Sequence, residues 1–195
     1  MFKSLEILLR GMNFKNDDYE LVQDFLSGDQ QAFNNLARKY QEKIYWHARR
    51  ILGDHDDAHD VVQQVLLVMY NKLNTFNYSS SLYTWIFKIT YTRSLNQLKK
   101  RKLKRIITLN FSDDIENPGY ENIVDNLENK EELIRMQKML NKLPLKQREV
   151  FILRNYDELS YDEISSITGK SVGALKANYF HAFKKIKELM GKDEN

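Results

Sequence analysis

The chain has no cysteine among its 195 residues, which excludes disulfides and thiolate-bound metals and suits a reducing compartment. It also has no long apolar run. The strongest, Val65 to Tyr70, is far too short to span a bilayer, so no membrane insertion is expected. Met1 to Arg10 carries one early lysine and a short apolar stretch that ends in charge. That fits neither a secretion signal nor a membrane span, and residues 1–19 are expected to be a flexible or weakly amphipathic extension of a cytoplasmic protein. The third absence is of one charge sign. Between Ile164 and Lys187 there is no acidic residue, while Lys170, Lys176, Lys184, Lys185 and Lys187 fall in or at the end of that stretch. Such separated blocks matter more than the net charge of +3.

What is present is a soluble globular balance, 42% hydrophobic and 29% charged, with length for one or two small domains. Periodicity predicts an all-α chain of two small helical domains joined by a flexible linker. Phe33, Leu36, Tyr40, Ile44, Ala48 and Ile51 recur every three or four residues until Gly53. From Asp57 to Leu73, residues Ala58, Val62, Val65, Met69 and Leu73 share a face, yet Leu67 points away among Asp60, Gln63, Gln64 and Asn71. A misplaced leucine is either a stray exposed side chain or part of a protein-contact surface.

A third helix is predicted over about Leu82 to Leu98, after the polar, aromatic segment Thr75 to Ser81. Asn77 and the serines Ser79, Ser80 and Ser81 can hydrogen-bond exposed base edges, and Tyr78 and Tyr83 can stack on unpaired bases. Phe76, Trp85, Phe87 and Tyr91 are expected to be packing residues. The run Lys99, Lys100, Arg101, Lys102, Lys104 and Arg105 then gives way to the acid-rich stretch Asp113 to Glu132, with Pro118-Gly119 inside it. This switch predicts a linker over 99–129 between units at 20–98 and 130–195. The basic run suits either a helix end stabilised by its dipole or phosphate contacts.

Downstream, Leu143 to Leu189 reads as a helix-turn-helix. Ser160 and Glu163 form a capping box, Ile164 and Ile167 give the short helix an apolar side, Gly169 ends it, and Ser171 can cap the next helix. On that second helix Val172, Leu175, Tyr179, Ala182, Phe183, Ile186 and Leu189 are predicted to share the core face, and Gly173, Ala174, Ala177, His181 and Lys184 the opposite one. The small residues allow close approach to base edges, Ala174 and Ala177 suit thymine methyls, Lys176 and Asn178 suit base reading, and the lysines suit phosphates.

In order and spacing, several segments resemble the extracytoplasmic-function (ECF) sigma factors, the compact branch of the sigma-70 family of bacterial transcription initiation factors. They are Gly28 to Phe33, Tyr40, Ile44-Tyr45, Leu52 to Asp54, Asp57 to Gln63 and Tyr83 to Ile89 in the first domain, and Leu143-Pro144, Arg148 to Phe151, Leu159 to Ile164 and Val172-Gly173 in the second. The resemblance implies a non-enzymatic factor without metal or cofactor, monomeric when free, that binds core RNA polymerase (β′ clamp and β) and promoter DNA under control of an anti-sigma factor. It implies core-polymerase binding by Asp57, Asp60, Gln63, Gln64 and Leu67. It implies capture of the −10 element by Asn77, Tyr78, Ser79, Ser80, Ser81, Tyr83, Trp85 and Lys88. Reading of the −35 element falls to Lys170, Ser171, Gly173, Ala174, Lys176, Ala177, Asn178, His181 and Lys184. The chain departs from the family pattern at Gln64, Leu66 and Thr92, and carries Lys176, Asn178, His181 and Phe183 where relatives often have arginine.

Two other classes compete. One is an operator-binding regulator that uses the helix-turn-helix alone. The other is a metal-dependent hydrolase built on His55 with His59 and Asp56 with Asp60, each pair four residues apart. Acids at a helix start are expected from capping and dipole effects, and no distant set completes such a site.

Overall fold

The computed structural model describes residues 16–109 and 127–193. They form eight α-helices and one 3-10 turn, with no strand among the described residues: α1 (Asn16–Leu26), α2 (Gln30–Leu52), α3 (His55–Lys72), the turn Leu73–Thr75, α4 (Leu82–Leu109), α5 (Leu127–Asn141), α6 (Leu145–Asn155), α7 (Tyr161–Thr168) and α8 (Val172–Asp193). The extension before residue 16 and the acidic stretch over 110–126 lie outside the described residues.

Capping chemistry sets the boundaries. Asp29 accepts from the Gln31 amide at 2.8 Å to open α2, and Gly53, left-handed at φ 71°, ends it. Asp54 accepts from the Asp57 amide at 2.9 Å to open α3. At α7 both halves of the Ser160–Glu163 capping box are present, and Gly169, at φ 71°, takes the left-handed conformation at the exit. The helix expected to end near Leu98 continues to Leu109. The basic run Lys99 to Arg105 therefore lies inside the helix and not at its end, and with no basic residue in the last turn the helix dipole does not account for it.

The front core is made of Leu36, Ile44, Ala48 and Ile51 from α2, Val61, Val65 and Met69 from α3, and Ile86 and Phe87 from α4, all fully buried. Val61, absent from the predicted face, belongs to it. The rear core contains Leu140, Ile152, Leu153, Ile164 and Leu175, with Ala182 and Ile186 from α8. The two are continuous. Each fully buried Leu, Ile or Phe contributes about 1.5–3 kcal/mol.

One core assignment is corrected. Phe183 is 54% exposed, although the helical period places it with Leu175 and Ile186. It lies at the rim of that face. It stands about 80° round the helix from Leu175, outside the strip on which Ala182 and Ile186, before and after it, are buried.

Candidate nucleic-acid and polymerase surfaces

On α3, Asp60, Gln63 and Leu67 face solvent and Gln64 is half-buried. Leu67 is 63% exposed, and Tyr70 one turn on is 44% exposed. The Tyr70 ring packs on Phe25 and Phe33 at 5.4 and 5.1 Å, and its hydroxyl donates to Gln30 Oε1 at 3.2 Å. Leu67 therefore stands beside a second exposed apolar residue that periodicity did not single out. Asp57 behaves differently. Its carboxylate accepts from Gln97 and, at 3.1 Å, from Arg101, which also donates to the Leu52 carbonyl. That side chain ties the start of α3 to α4 and the end of α2.

His55 and His59 pack ring against ring, with centroids 4.4 Å apart, and the Tyr45 hydroxyl lies 2.9 Å from His55 Nδ1. No group of three or more His or acidic residues arranged for a metal exists among the described residues.

The loop before α4 presents Asn77, Tyr78, Ser79, Ser80 and Ser81 to solvent, and Lys88 is exposed one turn and a half into the helix. Asn77 Oδ1 accepts from the Ser79 amide and hydroxyl at 3.2 and 2.7 Å. Ser81 Oγ accepts from the Thr84 amide at 3.0 Å and so caps α4. Of the aromatics expected to pack, Phe76, Phe87 and Tyr91 are buried, and Trp85 is half-buried against Phe76.

Tyr83 is not free. Its ring stacks on Phe87 at 4.3 Å with Lys43 Nζ 5.2 Å from its centroid. Its hydroxyl donates to the Asp157 carbonyl at 3.0 Å, across to the rear half of the chain. Burial first, then the charges of Asp157, Glu158 and Glu163, push the Tyr83 phenol well above its ordinary range.

That contact belongs to an extensive junction. His47 Nδ1 donates to Asp157 Oδ2 at 2.6 Å, with side chains 0% and 4% exposed. Thr84 Oγ1 donates to Glu163 Oε1 at 3.1 Å. The Arg50 guanidinium sits 4.1 Å from the Tyr156 ring centroid, and Arg148 donates to the Ile51 carbonyl at 3.2 Å. Deeper in, the buried Glu149 carboxylate holds Lys170 and accepts from the Tyr91 phenol of α4. Burial first, then Glu149, pushes that phenol up as well. At Glu163 burial works to raise the carboxyl, but hydrogen bonds from Ser160 and Thr84 outweigh it and hold the group below its ordinary value.

On α8, Gly173, Ala174, Lys176, Ala177, His181 and Lys184 are exposed and Asn178 is half-buried. Ser171 caps the helix, its hydroxyl accepting from the Ala174 amide at 3.3 Å. The Asn178 amide folds back to donate to the Ala174 carbonyl at 2.7 Å, and Lys176 rests 5.7 Å from the Tyr161 ring centroid. Phe180, not foreseen, is 65% exposed between Ala177 and Lys184. A phenylalanine on a small-residue face was the available signal, since an exposed aromatic there suits apolar contact with a thymine methyl. Of the expected set, Lys170 is paired with an acid, Glu149 of α6 in the same half of the chain.

Two family models match the chain. Residues 36–104 match the model for sigma-70 region 2 and residues 133–186 match that for sigma-70 region 4. The chain is 31% identical to the ECF RNA polymerase sigma-E factor of Escherichia coli over 172 residues, covering 85% of this chain and 90% of that one. It is 27% identical to the RNA polymerase sigma-H factor of Pseudomonas aeruginosa over 188 residues, covering 90% and 95%. Among solved structures, the sigma factor RpoE in complex with the anti-sigma factor NepR from Bartonella quintana matches with a TM-score of 0.66 at 25% identity, over 82% of this chain and 96% of that one. With its helix-turn-helix, its two helical units and these matches, the chain belongs to the sigma-70 family, in the branch of the ECF RNA polymerase sigma factors, which are transcription initiation factors.

Proposed function

We propose that this protein binds core RNA polymerase in the cytoplasm and directs it to a promoter class, leaving all catalysis to the polymerase. The carrying observation is that one chain offers two chemically different nucleic-acid faces. One is a polar loop with an exposed tyrosine, suited to unpaired bases. The other is a small-residue, lysine-flanked helix, suited to a major groove.

In this reading Asp60, Gln63, Gln64 and Leu67 face the polymerase, and Tyr70 extends their apolar part; Asp57 acts by anchoring the start of α3. Asn77, Tyr78, Ser79, Ser80, Ser81, Trp85 and Lys88 meet the −10 element, joined by Tyr83 once the junction opens. Ser171, Gly173, Ala174, Lys176, Ala177, Asn178, Phe180, His181 and Lys184 meet the −35 element, joined by Lys170. The units at 20–98 and 130–195 work as separate bodies on DNA, with 99–129 between them.

Opening of the junction follows from the contacts: Tyr83, in the −10 set, donates to the Asp157 carbonyl of the rear half, so it can meet a base only when the halves separate. An anti-sigma factor is the expected external control, as the partner of the Bartonella relative suggests.

Runoff transcription by purified core polymerase, with and without this protein, on fragments of its own genome tests the reading. Specific starts that require the protein support it. Binding of duplex DNA with no binding of polymerase refutes it in favour of an operator-binding regulator.

A further inference from the structure

Two non-glycine residues among those described have positive φ, Tyr78 at 59° and Glu158 at 55°. A left-handed tyrosine is disfavoured by about 1–2 kcal/mol, and such a conformation persists only where its surroundings over-determine it. For Tyr78 the surroundings are identifiable. Gln23 Nε2 of α1 donates to the Tyr78 phenolic oxygen at 2.6 Å. The Tyr19 ring of α1 lies 5.2 Å from the Tyr78 ring, and the buried Phe76 ring lies 4.6 Å from it on the loop's own side. Tyr19 and Gln23 are four residues apart and so share one face of α1. Burial does not explain the arrangement, because Tyr78 remains 42% exposed.

We propose that Tyr19 and Gln23 are positioning residues for promoter opening, a brace by which α1 holds the loop 76–81 in the conformation that receives an unpaired base. The inference rests on the reading of that loop as the −10 contact. Its chemistry is specific. Because the Gln23 amide donates to the phenol oxygen, the phenolic hydrogen is left to point outward as a donor, polarised by the bond it receives. Asn77 Oδ1 is occupied by Ser79, so the Asn77 amide hydrogens also remain as donors. A braced loop therefore presents donors beside an aromatic face, which fits a base whose exposed edge carries acceptors. An unbraced loop would have to order itself against the left-handed strain at the moment of capture.

The test uses the full chain assembled with core polymerase and a fork-junction DNA whose non-template −10 strand is unpaired. Gln23→Ala is expected to weaken binding of this DNA by about three- to tenfold, as loss of one hydrogen bond implies, and Tyr19→Ala to weaken it similarly. Affinity for core polymerase and for a −35 duplex lacking the −10 strand should stay within about twofold, which a general folding defect would not allow. In a Tyr78→Phe background Gln23→Ala should have no further effect. Unchanged fork binding in Gln23→Ala, or an equal loss in the Tyr78→Phe background, overturns the brace. If Asn77→Ala and Tyr78→Ala leave fork binding unchanged, the loop reading itself is wrong and the brace falls with it.

Discussion

Replacing His47 by leucine is expected to open the protein. The Asp157 carboxylate is 4% exposed and receives the His47 Nδ1 proton at 2.6 Å. Without that partner the buried carboxylate loses its hydrogen-bond donor and keeps only the charge of Arg50 acting on it. Breaking a buried pair in this way costs about 3–5 kcal/mol. In a single domain that would be lost stability, but here the chain can rehydrate the carboxylate by separating its halves. The closed-to-open ratio should fall by about two to three and a half orders of magnitude, at about 1.4 kcal/mol per decade, up to the limit set by the whole junction.

The natural absence of cysteine makes the assay direct: one introduced cysteine on each half, two dyes, and energy transfer between them in the free protein. Transfer should drop in His47→Leu and in Asp157→Leu. It should recover partly in the double variant, because replacing both members of a buried pair by apolar groups is often neutral or stabilising. Undiminished transfer in both single variants, or a double variant as open as the sum of the singles, would refute the view that this pair holds the halves together.

Further outcomes follow from the other contacts. Leu67→Ala should leave thermal unfolding nearly unchanged, within about 0.5 kcal/mol, while weakening core-polymerase binding in a competition assay by about 1–2 kcal/mol; Met69→Ala, fully buried on the same helix, should cost about 2–5 kcal/mol of stability. Glu163, whose folded carboxyl is held below its ordinary value of 4.5, contributes stability that is complete above that value and is lost as pH falls through the lowered one. Urea unfolding should therefore show an acid-dependent loss that Glu163→Gln diminishes, a glutamine at that place still completing the capping box. Lys184→Ala should weaken −35 duplex binding across sequences and reduce the slope of log affinity against log salt by about 0.9, measured by titration at several salt concentrations; an unchanged slope would remove Lys184 from the phosphate contacts.

The parts of this architecture visible in the sequence are those written in local spacing. Ser160 with Glu163, Gly169 and Ser171 announce the helix-turn-helix because a cap needs only residues three or four apart. Leu67 stood out because one period places it among polar neighbours, and the structure leaves it exposed. The junction had no such mark. His47 and Asp157 are 110 positions apart, Tyr91 and Glu149 meet only when two helices pack, and nothing near either residue signals its partner. Tyr83 and Lys170 read as free for DNA on local grounds, yet each has a partner in the closed chain. Phe183 failed for a related reason: a period assigns a face but not how far round the helix its cover extends.

The holding of Lys170 by Glu149 and of Tyr83 by Asp157 has a consequence on the scale of a genome. Chromosomal DNA is a vast competitor that retains any protein with free phosphate-binding charge. A factor that folds part of that charge inward is drawn less to random sequence before it has found an enzyme to work with. The Lys170–Glu149 pair lies within the rear half and persists on opening, whereas the Tyr83 contact crosses the halves, so affinity for unpaired bases scales with the fraction of molecules that are open. Search is thereby handed to the assembled polymerase, and the pool of free factor stays available to whatever competes for it.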